Sequence, residues 1–411
     1  MAAVNYLSYA GLNAPVRLDG ADALLPLLSA ALPSWPVTVS DMAPSQQPFA
    51  SLRGQSDGMY EINVYADASQ ARRWDAVNVV CDFVAEMAWE KLRSQPDLLC
   101  VHAAAVQFGD RLVVFPSSRR AGKSTLTCAL AHQGQTVFTD DYLFIDIAAD
   151  GAMNGTANGI APRLRLPVPD GFSEVFNRWA TADQGPSNKQ YKYLTEAPLA
   201  TGGASLALGA IVVLDRQDEP VTLRLDPIDQ ATAMDSMIIQ NFARSLHAGI
   251  ILQSIETLTA NLPTYRLVYH CGEDAAAFLR SSELLHDLPV AQLVDAKPPT
   301  QAPLEELEQR PMPFDPVAAY VQRVGATESH IDGAHFLADR SGLAIHRLNS
   351  GSAAIWRLLA EPTSLQDVVE ILTVAFPDTK PDQIAADSLA ALQQLTAARL
   401  IEPAHEAPHE R

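Results

Sequence analysis

The segment from Leu112 to Phe138 constrains this chain more than any other stretch. A short apolar run, Leu112 to Phe115, leads into Ser117-Ser118-Arg119-Arg120-Ala121-Gly122-Lys123-Ser124-Thr125. That stretch fits G-x-x-x-x-G-K-[ST] at every fixed position except the first, where Ser117 replaces glycine. Helical spacing runs from about Lys123 to His132, Gly134 stands where a left-handed glycine ends a helix, and Thr136 to Phe138 resumes as a strand. Strand, turn, helix, strand is the unit of an α/β sheet that binds ligands at strand ends. An isolated match also arises as an accidental helix start; the flanking strand and helix argue against that reading.

The loop keeps the chemistry of phosphate binding. Gly122 lets the backbone pass close to phosphate oxygens, the helix N-terminus offers partial positive charge, Lys123 supplies a full one, and Ser124 has the hydroxyl expected on Mg²⁺. With serine at position 117 the chain must turn there without positive φ or under strain. Arg119 and Arg120 either add charge beside a nucleotide or point to solvent. Beyond the helix, the strand Thr136 to Phe138 ends in Thr139-Asp140-Asp141. Carboxylates at a strand end beside such a loop hold Mg²⁺ or accept the proton of an attacking hydroxyl; the plain alternative is an Asp pair in a surface turn.

A chain of 411 residues is long enough for two or three domains. Proline recurs from Pro289 to Pro316 around a polar stretch, which places a linker at 287–318. Spacing of Val77, Val80, Val84, Met87, Ala88 and Leu92 predicts an amphipathic helix over 75–92, and Ala231 to Ile255 also reads as helical. Strands are expected at 98–106, 143–147, 211–214 and 265–269. The formal charge of -19 argues against nucleic acid and anionic membranes as partners, since both require a basic surface. No export signal or membrane-length apolar run stands out, and Cys81, Cys100, Cys128 and Cys271 lack metal-ligand spacing, as expected of reduced thiols in a cytosolic protein.

Taken together, His102 in Leu98-Leu-Cys-Val-His102, the loop, and Asp140-Asp141 resemble the catalytic core of HPr kinase/phosphorylase and its relatives in order and in close spacing. The resemblance covers 75–150 by motif and 150–285 by general pattern. It implies an α/β P-loop kinase domain over 75–286, preceded by a small α+β segment at 1–74, that binds ATP on residues 117–125. It further implies Asp140 as base towards a serine hydroxyl, Lys123 and His102 as further catalytic residues, and Mg²⁺ held by Ser124 and Asp141. The glycine-rich, glutamate-bearing segment that the bifunctional family carries next has no counterpart. Ile160-Ala-Pro-Arg163-Leu-Arg165 stands there instead, so the reverse reaction and HPr itself as substrate do not follow. Arg163 and Arg165 either clamp phosphate or stay solvated, and the same holds for Asn188 to Lys192 closing over a nucleotide.

After the linker, Phe336 to Leu348 reads as two strands joined at Ser341-Gly342. Asn349, Ser364 with Asp367, and Pro381 open three successive helices. A hairpin and three helices point to a winged helix-turn-helix over 319–405, with a tail at 406–411. From Ala319 onward there are 7 basic and 12 acidic residues, the wrong balance for DNA and a fit to peptide. The apolar framework of Phe336, Leu348, Trp356, Phe376, Leu392 and Leu400 resembles the PqqD family, whose members recognise leaders of ribosomally made, modified peptides. Phe336, Ile345 and Leu392 are as readily core as contact. The combined expectation is a bacterial cytoplasmic kinase, similar to those associated with lasso peptides, that uses ATP and Mg²⁺ on a Ser or Thr of a precursor peptide. A non-catalytic adaptor that delivers peptide to another enzyme stays open, as does a regulatory protein-serine kinase acting on a carrier protein. Association into a homo-oligomer is also left open.

Overall fold

A computed structural model describes residues 4–404 apart from 66, 68, 70, 119, 149, 244, 245, 287, 289–312, 340, 341 and 343. Arg119, Ser341, most of the expected linker and the tail lie outside the described residues. The chain divides into two units, one of residues 1–245 and 258–296, the other of 246–257 and 297–411. Both mix helices and strands.

Unit 1 opens with strands β1 (Val4–Tyr9), β2 (Val16–Asp19), β3 (Val37–Ser40), β4 (Ala50–Gly54), β5 (Tyr60–Val64) and β6 (Arg72–Trp74), and a helix α1 (Leu25–Ala31). The strands form one sheet in the order β3-β1-β2-β4-β5-β6. Helix α2 (Ala76–Ser94) follows, its N-terminus capped by Asp75, whose carboxylate accepts from Asn78 N at 2.8 Å. The apolar residues predicted to form its stripe are all buried.

The second sheet carries the Gly122-Lys123-Ser124 loop at the end of one of its strands. Its strands are β7 (Leu99–Val101), β8 (Ala103–Phe108), β9 (Arg111–Pro116), β10 (Val137–Thr139), β11 (Leu143–Ile147) and β12 (Met153–Thr156). Past a two-stranded ribbon of β13 (Arg163–Arg165) and β14 (Tyr191–Tyr193) come β15 (Ser205–Arg216), β16 (Arg224–Pro227) and β17 (Thr264–Tyr269). The order is β10-β8-β9-β15-β12-β11-β7, with β17 beside β15 and β16 beside β17. β9, β15 and β17 run parallel, so their carboxyl ends gather on one side. Helix α3 (Lys123–His132) joins β9 to β10, and α4 (Glu174–Ala182), α5 (Gln230–Ile239), α6 (Ala248–Asn261) and α7 (Gly272–Ser281) complete the helices up to the linker. Continuous apolar runs suit strands covered on both faces. Accordingly Val106, Phe108, Val113 and Phe115 share a core with Leu126, Ala129 and Leu130 of α3.

Two expectations from the sequence are corrected here. The strand expected over 98–106 breaks at His102, whose N–H donates to Gln240 O at 2.7 Å while Phe242 N donates to Cys100 O at 2.7 Å. The helix expected over 231–255 splits into α5 and α6. Between them Asn241 Oδ1 accepts from Ala243 N at 3.2 Å, a local side-chain turn that competes with helix.

Unit 2 contains the start of α6 and then β18 (Ala319–Gln322), β19 (Thr327–Ile331), β20 (Ala334–Ala338), β21 (Ile345–Leu348), α8 (Ser350–Leu358), β22 (Thr363–Ser364), α9 (Leu365–Ala375), α10 (Pro381–Ala397) and β23 (Ile401–Pro403). β19, β20 and β21 form one antiparallel sheet, and β22, β18 and β23 another. The helix starts are those read from sequence: Asn349 accepts from Ser352 N at 2.7 Å, Ser364 and Asp367 form a capping box, and Pro381 is the first residue of α10. Trp356, Leu359, Val368, Leu392 and Leu395 form the core of this unit with Leu337 and Tyr320. Among the described residues no helix is long and apolar enough to cross a membrane. All four cysteines are free.

Candidate active site

The phosphate loop leaves β9 at Pro116 and enters α3 at Lys123. Ser117, the departure from the motif, is buried, and its hydroxyl accepts a hydrogen bond from Leu214 N of β15 at 2.9 Å. The serine thus ties the loop to the neighbouring parallel strand. Left-handed backbone falls instead at Arg120, φ 69°, and Gly122, φ 95°. Tyr269, at the end of β17, donates to Ala121 O at 2.8 Å, and a Cβ on Gly122 would run into that same hydroxyl. Gly122 therefore answers both a conformational and a steric demand. The Lys123 ammonium is buried, bonded to Ser117 O and, at 3.4 Å, to Ser118 O. Arg120 is exposed, which favours the solvent reading for that residue.

The paired aspartates face this loop from the end of β10. Thr139 Oγ1 accepts from Asp141 N at 3.1 Å and from Asn158 Nδ2 at 2.7 Å, which fixes the turn. Asp140 is 4% exposed; its Oδ2 accepts from Arg163 N at 2.9 Å, and its carboxylate is also hydrogen-bonded by the Ser124 side chain. Asp141 turns to different partners, with Oδ1 at 3.2 Å from His102 Nε2 and Oδ2 at 3.5 Å from an Arg163 guanidinium nitrogen.

These surroundings push the two carboxyls apart. Burial raises Asp140 to about 6, with the Asp141 charge adding to it and the Arg163 charge and the hydrogen bonds opposing. Burial raises Asp141 as well, but the His102 hydrogen bond and the Arg163, His102 and Lys123 charges outweigh it and hold Asp141 at about 2. One carboxyl is poised to take a proton near neutrality while its neighbour stays ionised. Ser124, Asp140 and Asp141 are hard oxygen donors, the chemistry Mg²⁺ selects, and a buried carboxylate raised by desolvation gains from a divalent cation. The Ser124 side chain hydrogen-bonds Asp140, while Asp141, next in chain, meets His102 and Arg163.

Arg163, left undecided by the sequence, is part of this cluster; Arg165, two residues on, is exposed and donates to Tyr191 Oη at 3.3 Å. Arg163 and Arg165 share one face of β13, and both guanidinium carbons approach the Tyr191 ring, at 4.9 Å and 5.7 Å, but it is the Arg163 guanidinium that reaches Asp141. Lys189 is exposed, and Asn188 is committed elsewhere, bonding the Asp75 cap of α2. Asn158 and Tyr269 were not singled out from sequence. An asparagine among small apolar residues at 157–161 was the available signal for the first; nothing local marks the second.

Residues 334–401 match the family model of coenzyme PQQ synthesis protein D (PqqD). Among solved structures, that of the Hpr(Ser) kinase/phosphatase from Coxiella burnetii aligns with 44% of this chain and 91% of its own length, at 11% identity and a TM-score of 0.22. No curated protein matches the chain.

Within the PqqD region the structure sorts the residues that the sequence left between core and contact. Phe336 and Leu392 are fully buried, whereas Ile345, on β21, is only half-buried. β20 lies between β19 and β21, so among the described residues those two are the outer strands of this sheet.

Proposed function

We propose that this chain is an ATP-dependent kinase that phosphorylates a Ser or Thr hydroxyl of a ribosomally made precursor peptide, of the lasso-peptide kind, whose leader is held by the PqqD region. The observation that carries the reading is Asp140. It is a buried carboxyl, raised to about 6, hydrogen-bonded to the loop residue Ser124 and next in chain to a carboxylate held at about 2.

In this mechanism the backbone N–H groups at the start of α3, with Gly122 and the Lys123 ammonium, hold the β- and γ-phosphates. Asp140 accepts the proton of the attacking peptide hydroxyl as its oxygen bonds to the γ-phosphorus and the bond to the leaving ADP oxygen breaks. Asp141 stays ionised and orients His102 and Arg163 beside the transferring group. Ser124 and Asp141 would hold Mg²⁺, which would supply neutralisation of charge on the phosphate oxygens.

The PqqD region, read as a winged helix-turn-helix, takes the leader as an added strand at a sheet edge. Tethering the substrate in this way raises its concentration near the loop. The domain scheme that goes with this reading is the N-terminal segment 1–74, the kinase domain 75–286, the linker 287–318 and the PqqD-like domain 319–405.

Mass spectrometry of a candidate precursor incubated with ATP, Mg²⁺ and either the intact chain or Asp140→Asn tests the proposal. A gain of one phosphate that disappears in Asp140→Asn supports it. Binding of both ATP and peptide without phosphate transfer removes the kinase reading for that peptide and leaves an adaptor.

A further inference from the structure

A second concavity adjoins the phosphate loop and takes no part in the chemistry at Asp140. Its walls include Gly122 and Thr125 from the loop and the first turn of α3, Arg216 and Tyr269 at the carboxyl ends of β15 and β17, Gly272 at the start of α7, and Phe172. In a parallel sheet, ligands lie beyond the carboxyl ends of the strands. Once phosphates occupy the loop, the remainder of a nucleotide has to leave it along one of the surfaces that the loop borders. This pocket is such a surface.

Phe172 is held in place as a wall. The Phe172 and Phe176 ring centroids are 4.6 Å apart. Ser173 donates through both N and Oγ to the Glu273 carboxylate at 2.7 Å, which pins the segment carrying Phe172 to α7. Gly272 makes room for the ring: a Cβ there would stand 3.1 Å from Phe172 Cζ and 3.8 Å from Thr125 Cγ2. At the rim, Asp218 is 95% exposed and 3.7 Å from an Arg216 guanidinium nitrogen. A carboxylate there is an acceptor for sugar hydroxyls. An aromatic ring fixed before binding, a polar rim and direct contact with the loop together suit a nucleoside seat.

We propose that this pocket holds the nucleoside half of the triphosphate, with its base stacked on Phe172 and its ribose towards Asp218 and Arg216. The inference rests on the kinase reading above, and two ligands separate them: ATP, which uses both loop and pocket, and inorganic tripolyphosphate, which uses the loop alone. Equilibrium binding of each is measured on the full chain with Mg²⁺, for the native sequence, Phe172→Ala and Phe172→Tyr. Loss of base stacking weakens ATP binding by about tenfold in Phe172→Ala. Tripolyphosphate binding stays unchanged, and Phe172→Tyr restores ATP binding. Equal ATP binding in Phe172→Ala and the native chain overturns the seat and spares the loop. A parallel loss of both ligands also overturns it, since the ring would then be supporting the loop rather than the base. If the native chain binds neither ligand, the phosphate-loop reading falls and the seat falls with it.

Discussion

His102 Nε2 lies 3.2 Å from Asp141 Oδ1, and His102 stands in the break between β7 and β8. At the break the His102 backbone N–H donates to Gln240 O, and the residue is half-buried between fully buried Val101 and Ala103. His102 is thereby a partner of the acidic pair.

His102→Ala removes a hydrogen bond that helps to hold Asp141 near 2, so Asp141 moves back up towards the ordinary carboxylate range. A hydrogen bond to a charged group contributes about 1.5–3 kcal/mol, so kcat for peptide phosphorylation is expected to fall about tenfold or more. Single-turnover transfer followed from pH 4 to pH 8 checks this. The rate should fall across this range while the acid limb, which follows Asp140 near 6, keeps its position, and an unchanged rate would remove His102 from the site.

Asp140→Asn should abolish transfer and stabilise the protein, two effects of one cause. Loss of a general base lowers the rate by about 10²–10⁴. Because the folded-state value of Asp140 is raised from 3.8 to about 6, its contribution to stability is complete below about pH 4 and is lost as pH rises through 6. The penalty at pH 8 is on the order of 3 kcal/mol, and asparagine, which stays neutral, avoids it. Asp141, lowered to about 2, shifts stability only at pH values below that window. Urea unfolding without nucleotide is expected to show Asp140→Asn more stable than the native chain at pH 8 and no such gain at pH 4.

Ser117→Gly restores the sequence motif and is expected to harm the protein. It strips the acceptor from the buried Leu214 N–H, at a cost of about 1–3 kcal/mol, and loosens the link between loop and β15. The backbone at this position gains nothing from glycine, since the left-handed conformations fall at Arg120 and Gly122. Thermal unfolding should show a lower midpoint, with ATP binding no tighter than in the native chain. Tighter binding would show that Ser117 is a compromise rather than a tie.

The phosphate loop, the paired aspartates and the helix starts of unit 2 were legible because each is written in consecutive residues whose chemistry is local: Gly122-Lys123-Ser124, Asp140-Asp141, and the caps at Asn349, Ser364 and Pro381. Arg163 was visible as a residue but not as a partner, since Arg163 and Arg165 share a face of β13 and what separates them is contact with Asp140 and Asp141, more than twenty residues earlier in the chain. Tyr269 reaches the loop from 148 residues away, and no local pattern reports such a distance. The break at His102 was hidden by its apolar neighbours, because the bonds that cause it come from Gln240 and Phe242. Long-range hydrogen bonding, rather than propensity, decided each of these cases.

The PqqD region gives a prediction that needs no truncation of the chain. If it holds the leader while residues 117–141 act on a distant hydroxyl, free leader peptide competes with an intact precursor but not with a leaderless substrate. Tethering raises apparent affinity by about 10²–10⁴ without altering the chemical step. Saturating free leader should therefore raise KM for the intact precursor by about a hundredfold or more, leave kcat near its uninhibited value, and leave phosphorylation of the leaderless peptide unaffected. Initial rates with and without free leader, on both substrates, decide the matter. Equal KM for the two substrates, insensitive to added leader, would separate the PqqD region from catalysis and favour a regulatory kinase that recognises its acceptor at the loop itself.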